Sequence, residues 1–169
     1  MDNRDKQLLD QINAVQSTAE ISSGGTRLRK TSISIIKTFQ VVLFTGQYHY
    51  QDLTQEDAFQ ALRDYLNEGI HLAYQLSDIH DDSFGKTQSL LESLPEIKRV
   101  LLTDLQAIYD GDPAAKSLSE VILCYPGFYA VMIYRLAHAV NELSIPHLPR
   151  IMTEYAHEKT GIDINPGAS

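Results

Sequence analysis

Apolar residues recur at spacings of three and four along most of this chain, the period of helices that turn one face to a core. Between Asp2 and about Glu20 the stripe is Leu8, Ile12, Val15 and Ala19, and Ser22-Ser23-Gly24-Gly25 closes it. A second stripe, Ile33, Ile36, Phe39 and Val42 or Leu43, predicts a helix from about Arg27 to Phe44. Its β-branched residues suit a strand as well, but no strand alternation is present. Thr54 and Asp57 have capping-box spacing, and Phe59, Leu62, Leu66, Ile70, Ala73 and Leu76 carry the following helix to about Ile79. His80-Asp81-Asp82-Ser83-Phe84-Gly85 reads as a break, with a short helix from Thr87. Ser93-Leu94-Pro95-Glu96 then predicts a new start: serine at the cap, proline in the first turn where its missing N–H costs little, and Glu96 at the third helical position. Ile97, Leu101, Leu105 and Ile108 form the buried face of that helix, which ends at Gly111.

The same cap logic makes Asp112-Pro113 the start of a helix to about Cys124, broken by Pro126-Gly127. Phe128 to Leu143 follows, with Phe128, Val131, Leu136 and Ala139 on one face, and Pro146 to Lys159 is the last helix, stopped by Thr160-Gly161. Residues 162–169, Ile-Asp-Ile-Asn-Pro-Gly-Ala-Ser, change character: they alternate, carry β-branched side chains and hold turn formers, as a strand corner does. The expected fold is mostly α, a multi-helix bundle over residues 1–160 with a different element beginning at 161.

Composition narrows the function. With 43% hydrophobic residues in 169, a sizeable core is affordable. The 22 acidic residues outnumber the 14 Lys and Arg for a net charge of −8, and no basic cluster exists to neutralise phosphates, so nucleic acid is not the expected partner. Apolar runs such as Ser34 to Phe44, with Lys37 inside, fall short of the roughly 20 residues that span a bilayer. Met1-Asp2-Asn3-Arg4 opens without an apolar signal core; no membrane association and a cytoplasmic location are expected. Cys124 is the single cysteine, which excludes an intrachain disulfide and a cysteine cage for metal. At the end of an apolar stretch it is expected to be a buried small residue. His80-Asp81-Asp82 offers ligand types, but three consecutive residues do not converge on one ion, so a solvated loop and no metal are expected.

Three stretches carry a resemblance. Thr103-Asp104-Leu105-Gln106-Ala107-Ile108-Tyr109-Asp110-Gly111-Asp112-Pro113-Ala114 is similar to a D-x-Q-A-x-x-x-x-D-P-A run of the serine O-acetyltransferases. Gly127-Phe128-Tyr129-Ala130-Val131-Met132-Ile133-Tyr134-Arg135-Leu136-Ala137-His138 resembles their G-F-x-A-x-x-x-Y-R-x-x-H helix. With Gly161 to Ala168 these stand in that family's order and spacing. The likeness is strong over residues 93–169, while the first half resembles the family only as a set of helices. It implies an N-terminal helical domain over 1–160 and, over 161–169, the first coil of a left-handed parallel β-helix of hexapeptide repeats. Ile164 is then the first inward-pointing residue, and the next aliphatic position falls one residue beyond Ser169.

The implied reaction is transfer of acetyl from acetyl-CoA to the hydroxyl of L-serine, giving O-acetylserine for cysteine biosynthesis. Acetyl-CoA is then a co-substrate, and no cofactor is expected to be tightly bound. A serine hydroxyl is a weak nucleophile near neutral pH, so a histidine must take its proton, and a carboxylate on the far ring nitrogen steadies the imidazolium. By the resemblance, Asp163 matches the catalytic aspartate that pairs with that histidine, and Asp112 matches an aspartate that contacts substrate serine through its ammonium. The histidine lies on the family's β-helix, beyond these residues, so this chain alone is expected to be inactive. Where the family commonly has histidine, this sequence has Asn165, which cannot exchange a proton near neutral pH. On the residues alone, Asp112 before Pro113 is a helix cap and Asp163 a turn residue. Tyr134 and His138, four apart on one face, read as a packed aromatic and a hydrogen-bonded histidine, with Arg135 held in an ion pair. The resemblance also implies a homo-oligomer through the helical domain, and a cysteine synthase complex through a C-terminal tail absent from these residues. Two further readings are a helical oligomerisation module without catalysis and an unrelated helical adaptor; the second requires residues 162–169 to continue as helix.

Overall fold

The computed structural model describes residues 3–15 and 24–168. Seven helices run Asn3–Ala14 (α1), Gly25–Leu43 (α2), Gln55–Leu76 (α3), Ser83–Gly111 (α4), Leu118–Cys124 (α5), Pro126–Glu142 (α6) and Leu148–Thr160 (α7). The chain is mostly α, as its periodicity predicts. The predicted continuation of the first helix to Glu20, with Ala19, and its Ser22-Ser23 stop lie outside the described residues.

The capping box at α3 is present: the Asp57 N–H donates to Thr54 Oγ1 at 3.1 Å, and the Asp57 carboxylate accepts the Thr54 N–H. Two boundaries differ from expectation. No helix starts at Ser93; its hydroxyl donates to the Leu90 carbonyl at 2.7 Å, and α4 runs through Pro95 unbroken from Ser83. An interior proline costs about 3 kcal/mol, but Leu90, Leu91, Leu94, Ile97, Leu101 and Leu105 form one buried stripe on both sides of it, and that burial outweighs the lost hydrogen bond. The helix starts earlier than Thr87 because Asp82 Oδ1 accepts the Phe84 N–H at 3.0 Å.

Asp112-Pro113 does not open a helix either. Asp112 follows the last residue of α4, and α5 begins at Leu118, capped by Ser117, whose hydroxyl accepts the Glu120 N–H at 3.1 Å. Glu120 answers by accepting the Lys116 N–H at 2.8 Å, so the real signal is Ser-x-x-Glu five residues downstream. Pro126-Gly127 opens α6 instead of merely breaking the chain, with proline in its first turn and a 77° bend from α5. The last helix starts at Leu148, two residues after Pro146.

Helices α2, α3, α4, α6 and α7 pack in a closed ring, each against the next and α7 back onto α2, with α5 laid on α4 and α6. Phe39, Leu62, Leu66, Phe128 and Met132 are fully buried inside it. Phe44 meets Phe128 edge to face, centroids 5.6 Å apart. At Gly69 a Cβ would come within 3.0 Å of Ile35 Cδ1, so the bare backbone lets α3 approach α2 closely. The first apolar stripe, expected to face the core, faces solvent: Leu8 and Ile12 on α1 and Val15 just past its end are 49% to 80% exposed, and so is the neighbouring Leu9 at 44%. No single helix among the described residues is long and apolar enough to cross a membrane.

Candidate functional site

The helix α7 ends at Gly161, whose φ of +73° is the left-handed cap that glycine adopts without penalty, its N–H donating to the His157 carbonyl at 2.8 Å. The chain does not continue as helix. Residues 162–165 carry no regular secondary structure, with Ile162 and Ile164 half-buried and Asp163 and Asn165 exposed, the alternation anticipated from their sequence. A turn follows: Asn165 Oδ1 accepts the Gly167 N–H at 2.9 Å, and the Asn165 carbonyl accepts the Ala168 N–H at 3.0 Å. Asn165, the departure from the family's histidine, is thus a turn-former here.

Two side chains of α6, one turn apart, hold that segment. The Tyr134 hydroxyl donates to the Ala168 carbonyl at 2.5 Å, and His138 Nδ1 donates to the Pro166 carbonyl at 2.8 Å. The sequence reading of a packed aromatic and a hydrogen-bonded histidine describes both; what it lacked was the partner, a backbone some thirty residues on, which no local pattern encodes. Arg135 makes the expected ion pair, with Asp104: Nε and Nη2 each lie 3.0 Å from a carboxylate oxygen. That fork joins α4 to α6, and so joins the two motif-bearing stretches to each other.

The exposed Asp163 carboxylate has Arg150 Nη1 of α7 at 3.7 Å, while Arg150 also pairs with Glu154 on its own helix. Asp112 has other partners. Its Oδ1 accepts the Ala114 N–H at 2.9 Å and its Oδ2 accepts the Tyr125 hydroxyl at 2.7 Å. The Tyr125 bond first, and the Ala114 N–H second, hold the Asp112 carboxyl below its usual range, while the same bond pushes the Tyr125 phenol up to about 12. Asp112 is therefore an anion at neutral pH, with one edge held by the α5–α6 junction. The two candidate aspartates thus sit in separate hydrogen-bond settings, one at the end of α4 and one after α7. Cys124, expected to be buried, is exposed at the end of α5, beside the bend into α6. No group of three His, Cys, Asp or Glu side chains converges on a common point among the described residues.

Comparison with known proteins places these features. The family described as "Serine acetyltransferase, N-terminal" matches residues 43–132, more than half of the chain, and takes in α3, where the motifs themselves gave no likeness. A plasmid serine acetyltransferase of Synechococcus elongatus is 53% identical over 83 residues, 49% of this chain and 26% of that protein. The serine acetyltransferase of Bacillus subtilis is 41% identical over 71 residues, 42% of this chain and 33% of that protein. The crystal structure of the native serine acetyltransferase 1 from Entamoeba histolytica superposes with a TM-score of 0.70 at 31% identity, covering 97% of this chain and 61% of that one. The same enzyme in complex with L-cysteine gives 0.69 at 29% identity, covering 88% and 64%. The chain thus spans only part of the length of each relative it matches.

Proposed function

This chain belongs to the family of serine acetyltransferase N-terminal regions, and from that premise we propose that it is the helical part of an enzyme that acetylates the L-serine hydroxyl from acetyl-CoA. Its product is O-acetylserine, for cysteine biosynthesis. The observation that carries this reading is the segment 162–168, which leaves the helical bundle, alternates in burial over 162–165 and is tied down by Tyr134 and His138, with Asp163 exposed. Such a segment suits the first coil of a stacked solenoid, which needs a next coil to bury Ile162 and Ile164 fully.

In this mechanism Asp163 is catalytic. Its carboxylate accepts the far N–H of a histidine supplied by the β-helix, fixing the tautomer and stabilising the imidazolium formed when the serine hydroxyl gives up its proton and its oxygen attacks the thioester carbonyl. The thiolate of CoA leaves and takes the proton. Asp112 binds substrate: held anionic by Tyr125 and Ala114, it offers a charge to the serine ammonium. On this reading the base and the acetyl-CoA groove belong to the β-helix, and residues 1–169 alone do not turn over.

The test is release of CoA thiol on mixing serine and acetyl-CoA. The 169-residue chain stays at background, a polypeptide continued through hexapeptide repeats with a histidine turns over, and Asp163→Asn in the longer form loses about 10²-fold or more of kcat. An active short chain, or a longer one indifferent to Asp163→Asn, overturns the assignment.

One observation favours a second, compatible role. The exposed stripe of α1, Leu8, Leu9, Ile12 and Val15, is a seam that self-association would cover, and we infer that the helical region holds copies of the chain together.

A further inference from the structure

Beside the bend between α5 and α6 lies a cavity of about 340 Å³ against α2 and α7, with neither candidate aspartate in its lining. Its size falls within the range of small-molecule sites. It is lined by the apolar Ile122, Leu123 and Pro126, by Tyr48, Tyr129 and Tyr155, and by Lys37 and Lys159. In a chain of net charge −8 it is lined by two lysines and no Asp or Glu.

Lys37 is half-buried on α2 and has no ion-pair partner among the described residues. An anion in the cavity would give this cation a counter-charge. Lys159 has Glu158 at 3.3 Å, but both side chains are about half exposed, 48% and 52%, and such a pair is weak enough to exchange. Burial pushes the Tyr48 phenol up to about 12 and raises that of Tyr129, so both remain protonated donors. Tyr48 already donates to the Ile122 carbonyl at 2.9 Å; the Tyr129 hydroxyl lies against Tyr155, and a ligand carboxylate would compete for its proton.

Behind Tyr129 lies Gln40, 2% exposed, whose Nε2 is buried without a hydrogen-bond partner. It is near enough to the Tyr129 hydroxyl to lower that phenol as a hydrogen-bond donor does, yet has no partner in bonding geometry. Buried amides are almost always satisfied. A Tyr129 hydroxyl donating into the cavity would turn its oxygen lone pairs toward Gln40 Nε2 and satisfy it.

We propose that this cavity binds a small organic carboxylate with an apolar body, the body lying against Ile122, Leu123 and the tyrosine rings, and the carboxylate meeting Lys37 and the Tyr129 hydroxyl. The site stands independently of the acetyl-transfer reading.

Titration of the 169-residue chain with 3-phenylpropionate, followed by calorimetry and by tyrosine ring signals in NMR, tests it. Saturable one-to-one binding is expected, about 10-fold or more tighter than to the neutral 3-phenylpropionamide and to inorganic phosphate. Lys37→Met, which keeps the apolar stem, is expected to weaken it about 10-fold with the urea midpoint unchanged; Tyr129→Phe weakens it less. Lys159→Met provides a second cation variant should Lys37→Met fold poorly. No saturation by about 10 mM, equal binding of the amide or of phosphate, or affinity unmoved in both lysine variants overturns the proposal.

Discussion

The fork between Arg135 and Asp104 ties the two motif-bearing helices together, and its strength follows from its geometry. Two charge-assisted bonds of 3.0 Å lie between side chains 34% and 21% exposed, which places the pair between a surface bridge and a buried one. Surface pairs contribute about 0–1 kcal/mol, and losing one partner of a buried pair costs about 3–5 kcal/mol. The intermediate burial gives about 2–3 kcal/mol for Asp104→Asn or Arg135→Met, and a coupling of about 1–2 kcal/mol in the double-mutant cycle. Arg135 also lies over the Tyr134 ring, 5.7 Å from its centroid, which deepens its single-mutant loss and cancels in the cycle. Arg135→Lys keeps the charge and loses the fork, so it recovers only part of the stability. Urea unfolding of the four forms reads these values, and the melting temperature falls by roughly 4–10 °C in the single mutants. A coupling below about 0.3 kcal/mol refutes the claim that this fork fastens α4 to α6.

Two further outcomes follow from the same reasoning. The Asp112 carboxyl, held down by Tyr125 and Ala114, titrates in the folded chain below its ordinary value of 3.8. Its stabilising contribution is therefore full above that value and lost as pH falls through the folded one; Tyr125→Phe, followed by carboxyl NMR, moves the titration upward, and an unmoved midpoint refutes Tyr125 as the main cause. Along α1, sedimentation of the chain shows concentration-dependent association that Ile12→Asp weakens at least 10-fold; a monomer at every concentration, or association indifferent to the substitution, removes α1 as a seam.

The helices were legible because burial repeats with the helical period, and that signal survives even an interior proline. Local cap signals were less reliable than the stripes beside them. Ser93, Pro95 and Glu96 have every local mark of a helix start, yet the apolar positions from Leu90 to Leu105 stay in one register across them, and register follows the core. At Asp112 the residue type was right and the role was not: its carboxylate bonds forward to Ala114 and across to Tyr125 after α4 has ended, while Ser117 caps α5. The stripe of α1 is as periodic as any other and is nonetheless exposed, since period reports that a face is apolar and says nothing of what covers it.

The candidate site divides in the same way. Asp112 and Asp163 were singled out by motif, and the exposed, alternating setting of Asp163 could be anticipated from Ile162 to Asn165. The hold on that segment could not, because Tyr134 and His138 bond to main-chain carbonyls of Ala168 and Pro166, and a carbonyl has no sequence identity. These bonds give the tyrosine and histidine of the α6 motif a role that requires no proton transfer: two donors on one helix face fix where residues 166–168 leave the bundle. Under the proposed function, where a stacked solenoid follows this segment, the direction set there would decide whether Asp163 can meet a base carried on the next turns.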